Sequence, residues 1–188
     1  GDYYDCFMLD DRHLCLVIGD VSGKGVPASL FMAISKTLTG SLTRRQRDLG
    51  QAIRDLEIEL SRENPECLFV TAFVAVLDVV SGHLEYICAG HDAPIILRRD
   101  KILRIDTSGV GGPPLCAIGD YPFATGHVAL EPDDLLCLFT DGITEADSQH
   151  ELFGIERLKN GLVATAGLPV EHTATHLRDA VRQFESGH

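Results

Sequence analysis

The sequence has no apolar stretch of about 18 residues, the length that a helix needs to cross a bilayer, and no basic and apolar leader at its start. We therefore expect no membrane span, no export signal and no direct membrane contact. Basic residues are also scarce, because 16 Lys and Arg stand against 28 Asp and Glu, for a formal net charge of −12. Nucleic-acid binding rewards basic surfaces, so we expect no nucleic-acid partner.

The cysteines and histidines lack the spacings of a zinc site. The six cysteines include no C-x-x-C pair, and the eight histidines are not paired at metal-ligand spacing. We expect buried, reduced thiols and a cytoplasmic setting for the cysteines, which are Cys6, Cys15, Cys67, Cys88, Cys116 and Cys137. His91 stands beside a glycine at a predicted strand end, where we expect it to fix its loop by hydrogen bonding rather than to act in catalysis.

Two aspartates each follow a short, wholly apolar run and precede a glycine turn. Asp20 follows residues 14–18, and Asp141 follows residues 135–139. An apolar run with no polar alternation predicts a strand covered on both faces, so each carboxylate would lie at the rim of a buried sheet. Two carboxylates brought together repel each other unless a cation joins them. Because hard oxygen ligands favour Mg²⁺ or Mn²⁺, the pair predicts a metal site.

The first of these runs has two other interpretations. Gly19, Gly23 and Lys24 resemble a phosphate-binding loop, but that loop requires the spacing G-x-x-x-x-G-K-[ST]. Here three residues separate the two glycines, and another glycine follows the lysine. An aspartate before a glycine is also common in turns, and for Asp20 alone this would be the preferred interpretation. Its recurrence at Asp141 favours the metal site.

Apolar runs and helical periodicities predict an α+β fold in a single domain, residues 1–188. Strand-like runs joined by short turns, which favour antiparallel pairing, fall near residues 4–9, 13–19, 67–79, 83–89, 94–98, 101–105, 123–130 and 134–140. Four helices are predicted, one after Pro27 with Leu30, Ile34, Leu38 and Leu42, and others marked by Leu49, Ala52, Ile53, Leu56 and Leu60, by Ile155, Leu158 and Leu162, and by Ala174, Leu177, Val181 and Phe184.

Four blocks of sequence carry a family resemblance. Residues 1–5 read Gly-Asp-Tyr-Tyr-Asp, residues 19–28 Gly-Asp-Val-Ser-Gly-Lys-Gly-Val-Pro-Ala, residues 89–94 Ala-Gly-His-Asp-Ala-Pro and residues 139–146 Phe-Thr-Asp-Gly-Ile-Thr-Glu-Ala. In this order they resemble the signature blocks of the bacterial PP2C-like serine/threonine phosphatases of the SpoIIE and RsbU group. The resemblance extends to the last helix. It implies a PP2C-like sandwich of two antiparallel β-sheets with helices packed outside and metals at one edge between the sheets.

The resemblance also implies a mechanism, the hydrolysis of a phosphate monoester with two bound Mn²⁺ or Mg²⁺ ions and no nucleophilic side chain. Carried over by motif, Asp20 bridges both ions, the main-chain carbonyl of Val21 ligates one of them and Asp141 ligates the other. Asp2 matches the first acidic block and is expected to act through a water molecule. Ser22 is expected to be a turn residue, because no base is paired with it.

The substrate implied by the resemblance is phosphoserine or phosphothreonine on an anti-sigma-factor antagonist. An attached sensory or receiver domain would control the activity. For the helix after Pro27, the leucine spacing favours core packing, whereas the resemblance implies a regulatory switch. Both possibilities stay open at this point.

One departure from the family pattern concerns the end of the chain. The family continues after its last helix with an Asp-Asp block and a strand, and these are not in this sequence. Asp133 and Asp134 precede the run leading to Asp141 and fit a turn instead. We therefore expect a fragment excised from a longer regulatory protein, with one weak or empty metal site and little activity. The alternative function is a non-catalytic domain that binds a phosphoprotein or a regulatory partner.

Overall fold

The computed structural model describes residues 1–62, 64–148 and 151–187, so residue 188 lies outside the described part. In chain order the strands are β1 (Asp2–Met8), β2 (His13–Val21), β3 (Val70–Asp78), β4 (His83–Ala89), β5 (Ile95–Arg98), β6 (Lys101–Arg104), β7 (Gly111–Gly112), β8 (Gly126–Ala129), β9 (Leu135–Cys137), β10 (Asp147–Ser148) and β11 (Glu151–Leu152). The helices are α1 (Val26–Arg45), α2 (Leu49–Arg62), α3 (Asp141–Thr144), α4 (Gly154–Ala164) and α5 (Val170–Glu185).

Backbone contacts divide the chain into two units, the first formed by Gly1–Asp92 and Asp106–Leu130, the second by Ala93–Ile105 and the chain from Glu131 onward. The first unit is built on a six-stranded sheet in which β1 to β4 pair antiparallel in chain order. Beyond them, β4 pairs parallel with β7 and antiparallel with β8. The predicted α+β class with antiparallel sheets is confirmed.

The hairpin between β1 and β2 closes through a polar turn. The Asp10 carboxylate accepts hydrogen bonds from the Arg12 and His13 main-chain N–H groups, each at 2.8 Å. Side chains then alternate along β2, and Cys15, Val17 and Val21 belong to one buried cluster with residues of α1 and α2. Asp20 lies at an intervening position and therefore belongs to the opposite face of the sheet.

The two helices of the first unit cover one face of this sheet. All five residues predicted to mark α2, from Leu49 to Leu60, are at most 3% exposed, so the second predicted helix is confirmed with its buried face. Apolar residues of α2 join those of β2 and β3 in a single core cluster. The regular apolar spacing of α2 therefore predicts its buried face correctly.

The predicted buried face of α1 is confirmed only in part: Leu38 and Leu42 pack against the core cluster, but the first two predicted residues do not. Leu30 and Ile34 are 61% and 49% exposed. The residues of α1 that are buried are Ala28, Phe31, Ser35, Thr39, Gly40 and Thr43. The hydroxyls of Ser35, Thr39 and Thr43 each donate to the carbonyl four residues earlier at 2.7 Å, which removes the cost of burying them.

We expect the difference in burial between Phe31 and Ile34 to be visible in unfolding experiments. Phe31→Ala should lower the free energy of unfolding by about 3–5 kcal/mol because it opens a cavity beneath α1. Ile34→Ala, one helical turn away, should cost about 1 kcal/mol or less, since half of its side chain already contacts solvent. Urea unfolding of both variants measures the difference. Equal losses of stability would contradict the assignment of the buried face.

The second unit contains the three-stranded antiparallel sheet β6-β5-β9 and the short pair β10-β11. Helices α4 and α5 pack closely, because a Cβ on Gly161 would lie 2.6 Å from the side chain of Leu177. Leu158 and Leu162 are fully buried, as their spacing predicted. Within the described residues β9 pairs only with β5, and its three residues are half-buried. The prediction that this run is covered on both faces is therefore wrong.

The cysteine prediction is confirmed in part. All six thiols are unpaired, and Cys15 and Cys88 are buried, but Cys6 and Cys67 are exposed. Burial raises the pKa of the Cys15 and Cys137 thiols to about 11. Cys6 is exposed because it occupies an outward position of β1, and Cys67 lies in a loop with φ +51°.

In the part of the chain that the structure describes, no helix combines the length and the apolar composition required to cross a bilayer.

Asp133 and Asp134 form the predicted turn before β9. Asp133 has φ +69°, and the Asp134 N–H donates to the Glu131 carbonyl. The Asp134 side chain, 1% exposed, accepts three hydrogen bonds from the Arg98 guanidinium in a close ion pair. Those bonds hold the pKa of Asp134 below its ordinary value. This carboxylate therefore stabilises the turn.

The depressed pKa of Asp134 sets the sign of a pH dependence. Its stabilising effect is present above the unfolded-state pKa, about 3.9, and is lost as pH falls through the folded-state value. Arg98→Gln should lower the free energy of unfolding by about 1–3 kcal/mol at neutral pH, with a smaller effect near pH 3. Urea unfolding across pH tests this, with the exposed neighbour changed in Arg99→Gln as control. A pH-independent difference would contradict the role of the pair.

Candidate metal centre

The candidate site of the first unit lies where β1 begins and β2 ends. In the antiparallel register Asp2 is the Cα partner of Asp20, so both side chains lie on the same face of the sheet. One carboxylate oxygen of each lies within 4.8 Å of the other. Asp2 is exposed and Asp20 is partly exposed. Two like charges directly across a strand pair destabilise it, and a cation would offset this repulsion.

Two oxygen atoms converge beside this pair. The amino nitrogen of Gly1 lies 2.7 Å from Asp20 Oδ1 and 3.0 Å from the Val21 carbonyl oxygen. A side-chain oxygen and a main-chain oxygen therefore face one common point. These are the two atoms that the sequence resemblance assigns to a metal. An all-oxygen set of this kind suits Mg²⁺ or Mn²⁺.

A close packing contact next to Asp20 determines how the two strands meet. Tyr3 is the Cα partner of Gly19, and its ring lies directly over that glycine. A Cβ on Gly19 would lie 2.8 Å from the Tyr3 ring and 2.9 Å from the Thr71 carbonyl oxygen. Tyr3 is 5% exposed, and its burial raises the pKa of its hydroxyl to about 12. A glycine is therefore required at position 19 because there is no room for a side chain, and not because of its backbone conformation.

The turn after β2 is fixed by Ser22. Its hydroxyl accepts a hydrogen bond from the Phe69 N–H at 2.9 Å, and its own N–H donates to the Phe69 carbonyl at 2.9 Å. Gly23 and Gly25 then have φ +82°, a conformation that favours glycine. Helix α1 begins directly afterwards, with Pro27 in its first turn. These contacts agree with the predicted turn role of Ser22.

His91 and Thr71 line the same strand end, and no motif in the sequence singled out Thr71. Thr71 is the Cα partner of Asp20 in the pair between β2 and β3. The Thr71 hydroxyl lies 3.0 Å from Nδ1 of the half-buried His91. Cys88 also holds this loop, because its thiol donates to the His91 carbonyl oxygen at 3.1 Å. These contacts agree with the hydrogen-bonding role predicted for His91.

Asp141 belongs to the second unit. It follows the buried Phe139 and is the exposed first residue of α3, whose single turn replaces the glycine turn expected from the sequence. The Asp141 carbonyl accepts the Glu145 N–H at 2.7 Å. In the first unit, the structure brings together Asp2, Asp20 and Val21 among the predicted site residues. For Asp141, the predicted role as a ligand stays a prediction.

Comparison with known proteins identifies the family. The family model described as Stage II sporulation protein E (SpoIIE) matches residues 10–188. The chain belongs to the SpoIIE family. Protein IcfG of Synechocystis sp. is 29% identical over 217 residues, which cover 100% of this chain and 33% of that protein. Phosphoserine phosphatase RsbU of Bacillus subtilis is 29% identical over 153 residues, which cover 80% of this chain and 44% of RsbU. The chain thus spans less than half of either relative.

Solved structures confirm the PP2C-like fold. The RsbU and RsbW domains of Rv1364c from Mycobacterium tuberculosis align with TM-score 0.84 and 23% identity, over 97% of this chain and 51% of that one. The PP2C phosphatase domain of SpoIIE from Bacillus subtilis, with a fragment of its regulatory domain, aligns with TM-score 0.81 and 21% identity, over 99% and 54%. RsbX in complex with magnesium aligns with TM-score 0.70 and 16% identity, over 97% and 79%.

Substitution of Gly19 tests the packing beside Asp20. Gly19→Ala should lower the free energy of unfolding by about 1–3 kcal/mol, because the added methyl group would overlap the Tyr3 ring and the Thr71 carbonyl. Gly119→Ala is the matched control, since nothing lies within 4 Å of a Cβ at that position. Urea unfolding compares the two variants. If Gly19→Ala is as stable as Gly119→Ala, Tyr3 does not restrict this position.

Proposed function

We propose that this chain is the catalytic domain of a metal-dependent protein phosphatase that hydrolyses phosphoserine or phosphothreonine on a regulatory protein. The observation that carries this proposal is the convergence of Asp20 Oδ1 and the Val21 carbonyl oxygen, beside Asp2, in a chain of the SpoIIE family. A relative is named phosphoserine phosphatase RsbU. The fold of the chain is that of a PP2C phosphatase domain.

The proposed ligands are those of the sequence analysis. Asp20 would bridge two ions, the Val21 carbonyl would ligate one, Asp141 would ligate the other, and Asp2 would act through a water molecule. When bound, Mn²⁺ or Mg²⁺ lowers the pKa of a water molecule and stabilises negative charge on phosphoryl oxygens. A structural neighbour, RsbX, was solved with magnesium, which supports the choice of a hard divalent ion. The assignment of Asp141 rests on the resemblance of residues 139–146.

The contribution of the protein is to hold oxygen atoms in place. The strand pairing fixes Asp2 opposite Asp20, so their negative charges are concentrated at one point before any cation arrives. Ser22 is engaged with Phe69, which favours a reaction without a side-chain nucleophile. The proposed reaction is therefore direct attack of water on phosphorus, with the alcohol of the serine or threonine as the leaving group.

The proposed biological setting follows from the family. We propose a phosphorylated anti-sigma-factor antagonist, or a similar phosphoprotein, as the substrate. We also propose an attached sensory or receiver domain in the whole protein, which the greater length of IcfG and RsbU supports. The unpaired state of all six cysteines favours action in the cytoplasm.

Asp20→Asn in the full-length protein tests this function. The variant should lose phosphatase activity by about 100-fold or more, because a charged ligand is replaced by a neutral one while the fold is kept. Mn²⁺-dependent hydrolysis of a small aryl phosphate and of a phosphoserine protein measures the loss, and a thermal melt checks folding. Asp5→Asn, on the same strand pair but outside the proposed site, should retain wild-type activity.

Two outcomes would count against the proposal. A folded Asp20→Asn variant with activity near wild type would contradict the metal assignment. Wild-type protein that binds the phosphoprotein but releases no phosphate with Mn²⁺ would instead favour the non-catalytic binding domain.

A further inference from the structure

A buried carboxylate on α2 has no part in the proposed reaction. Glu57 is only 4% exposed, on the face of α2 that also buries Ile53 and Leu60. Its Oε1 atom accepts a hydrogen bond from the Cys116 N–H at 3.1 Å. Its Oε2 atom is buried and has no hydrogen-bond partner among the described residues.

This burial is costly. Burial raises the pKa of Glu57 above its ordinary value, and the nearby charge of Asp120 acts in the same direction. In the described part of the chain no cation forms an ion pair with Glu57. An apolar residue of similar size would avoid this cost, so core packing alone does not account for a glutamate here. The bond to Cys116 is the specific contact that the carboxylate provides.

The segment that Glu57 holds is residues 114–116. Cys116 has φ +66°, a strained conformation for a residue with a side chain, and Leu115 is fully buried. Leu115 exchanges two hydrogen bonds with Val70, at 3.0 and 2.8 Å. Pro114 lies against Gly90, where a Cβ would approach the proline ring to 2.7 Å.

This segment continues the sheet at the end that carries the candidate ligands. β4 pairs with β3 only from Phe73 to Leu77, so β4 does not reach Val70. Leu115 takes the place of a neighbouring strand at Val70. On its other side, Val70 is the Cα partner of Val21, whose carbonyl is a proposed ligand.

We propose that Glu57 is a positioning residue. By holding the Cys116 N–H it fixes residues 114–116 as the outer support of the strand end that carries Val21 and Asp20. The route runs from α2 through Cys116 and Leu115 to Val70 and then to Val21, and every step is a hydrogen bond, a peptide bond or a strand pairing within the first unit. This role rests on the proposed function, because it concerns the same ligands.

Two substitutions in the full-length protein separate this role from simple packing. Glu57→Met keeps the volume and removes the acceptor, and it should still fold because the cost of a buried carboxylate disappears together with the hydrogen bond. Glu57→Gln keeps an acceptor oxygen and should behave like wild type. Glu59→Met is the control on the same helix, since Glu59 is exposed and contacts Arg62.

Amide hydrogen exchange and metal titration are the two measurements. In Glu57→Met the Leu115 amide should exchange about tenfold faster than in wild type, because its segment is no longer held. Calorimetric titration with Mn²⁺ alone should show about fivefold weaker binding in Glu57→Met, with wild-type values for Glu57→Gln and Glu59→Met. A purely structural glutamate would change the thermal melt without changing Mn²⁺ affinity.

The outcomes distinguish this proposal from the proposed function. Wild-type Mn²⁺ affinity in Glu57→Met would overturn the positioning role, and so would a loss in Glu57→Gln or Glu59→Met equal to that in Glu57→Met. Unchanged exchange at Leu115 would overturn it as well. Wild-type protein that binds no Mn²⁺ would overturn the proposed metal site itself, which none of the comparisons between variants would do.

Discussion

The register between β1 and β2 is the constraint on which the candidate metal centre depends. It places Asp2 opposite Asp20 and Tyr3 opposite Gly19. The same pairing therefore determines both where the two carboxylates meet and how the Tyr3 ring packs. A slip of one residue would turn Asp20 toward the helices, where Val21 is now buried. The Tyr3 ring opposes such a slip, because it fits over a glycine and over no larger residue. Packing of the Tyr3 ring therefore keeps the two carboxylates opposite each other despite their repulsion.

Strong local patterns made most of the fold predictable, and α1 shows where they fail. The strands of the first unit and the buried face of α2 follow from apolar runs and spacing that any compact fold would use. In α1 the apolar spacing pointed to Leu30 and Ile34, yet the buried face contains Ser35, Thr39 and Thr43. Within a helix each of these hydroxyls can donate a hydrogen bond to a carbonyl oxygen of the preceding turn, so these small side chains can be buried. A pattern that counts hydroxyl residues as polar therefore places the buried face one residue, about 100°, away from its actual position.

The candidate site was predictable only where its residues carry a local signal. Asp20 stands between an apolar run and a glycine turn, so both the strand and its end can be read from the sequence. Thr71 and Glu57 have no such signal. Thr71 enters the site through strand pairing across 51 positions, and Glu57 meets its partner 59 residues further along the chain. Contacts of this range depend on the completed fold rather than on neighbouring residues.

At the end of the sheet where Asp2 and Asp20 lie, β3 is paired on one side with short segments rather than with a continuous strand. Because β4 stops short of Val70, the first residues of β3 are paired with Leu115 and Gly90 instead of with a continuous strand. Short segments bury little surface of their own, so their position depends on individual contacts such as that of Glu57 with Cys116. A continuous strand would hold the ligands more rigidly, but it could move only with the whole sheet. Residues 114–116 and Gly90 therefore support this strand end separately from the continuous pairing of β3 with β4.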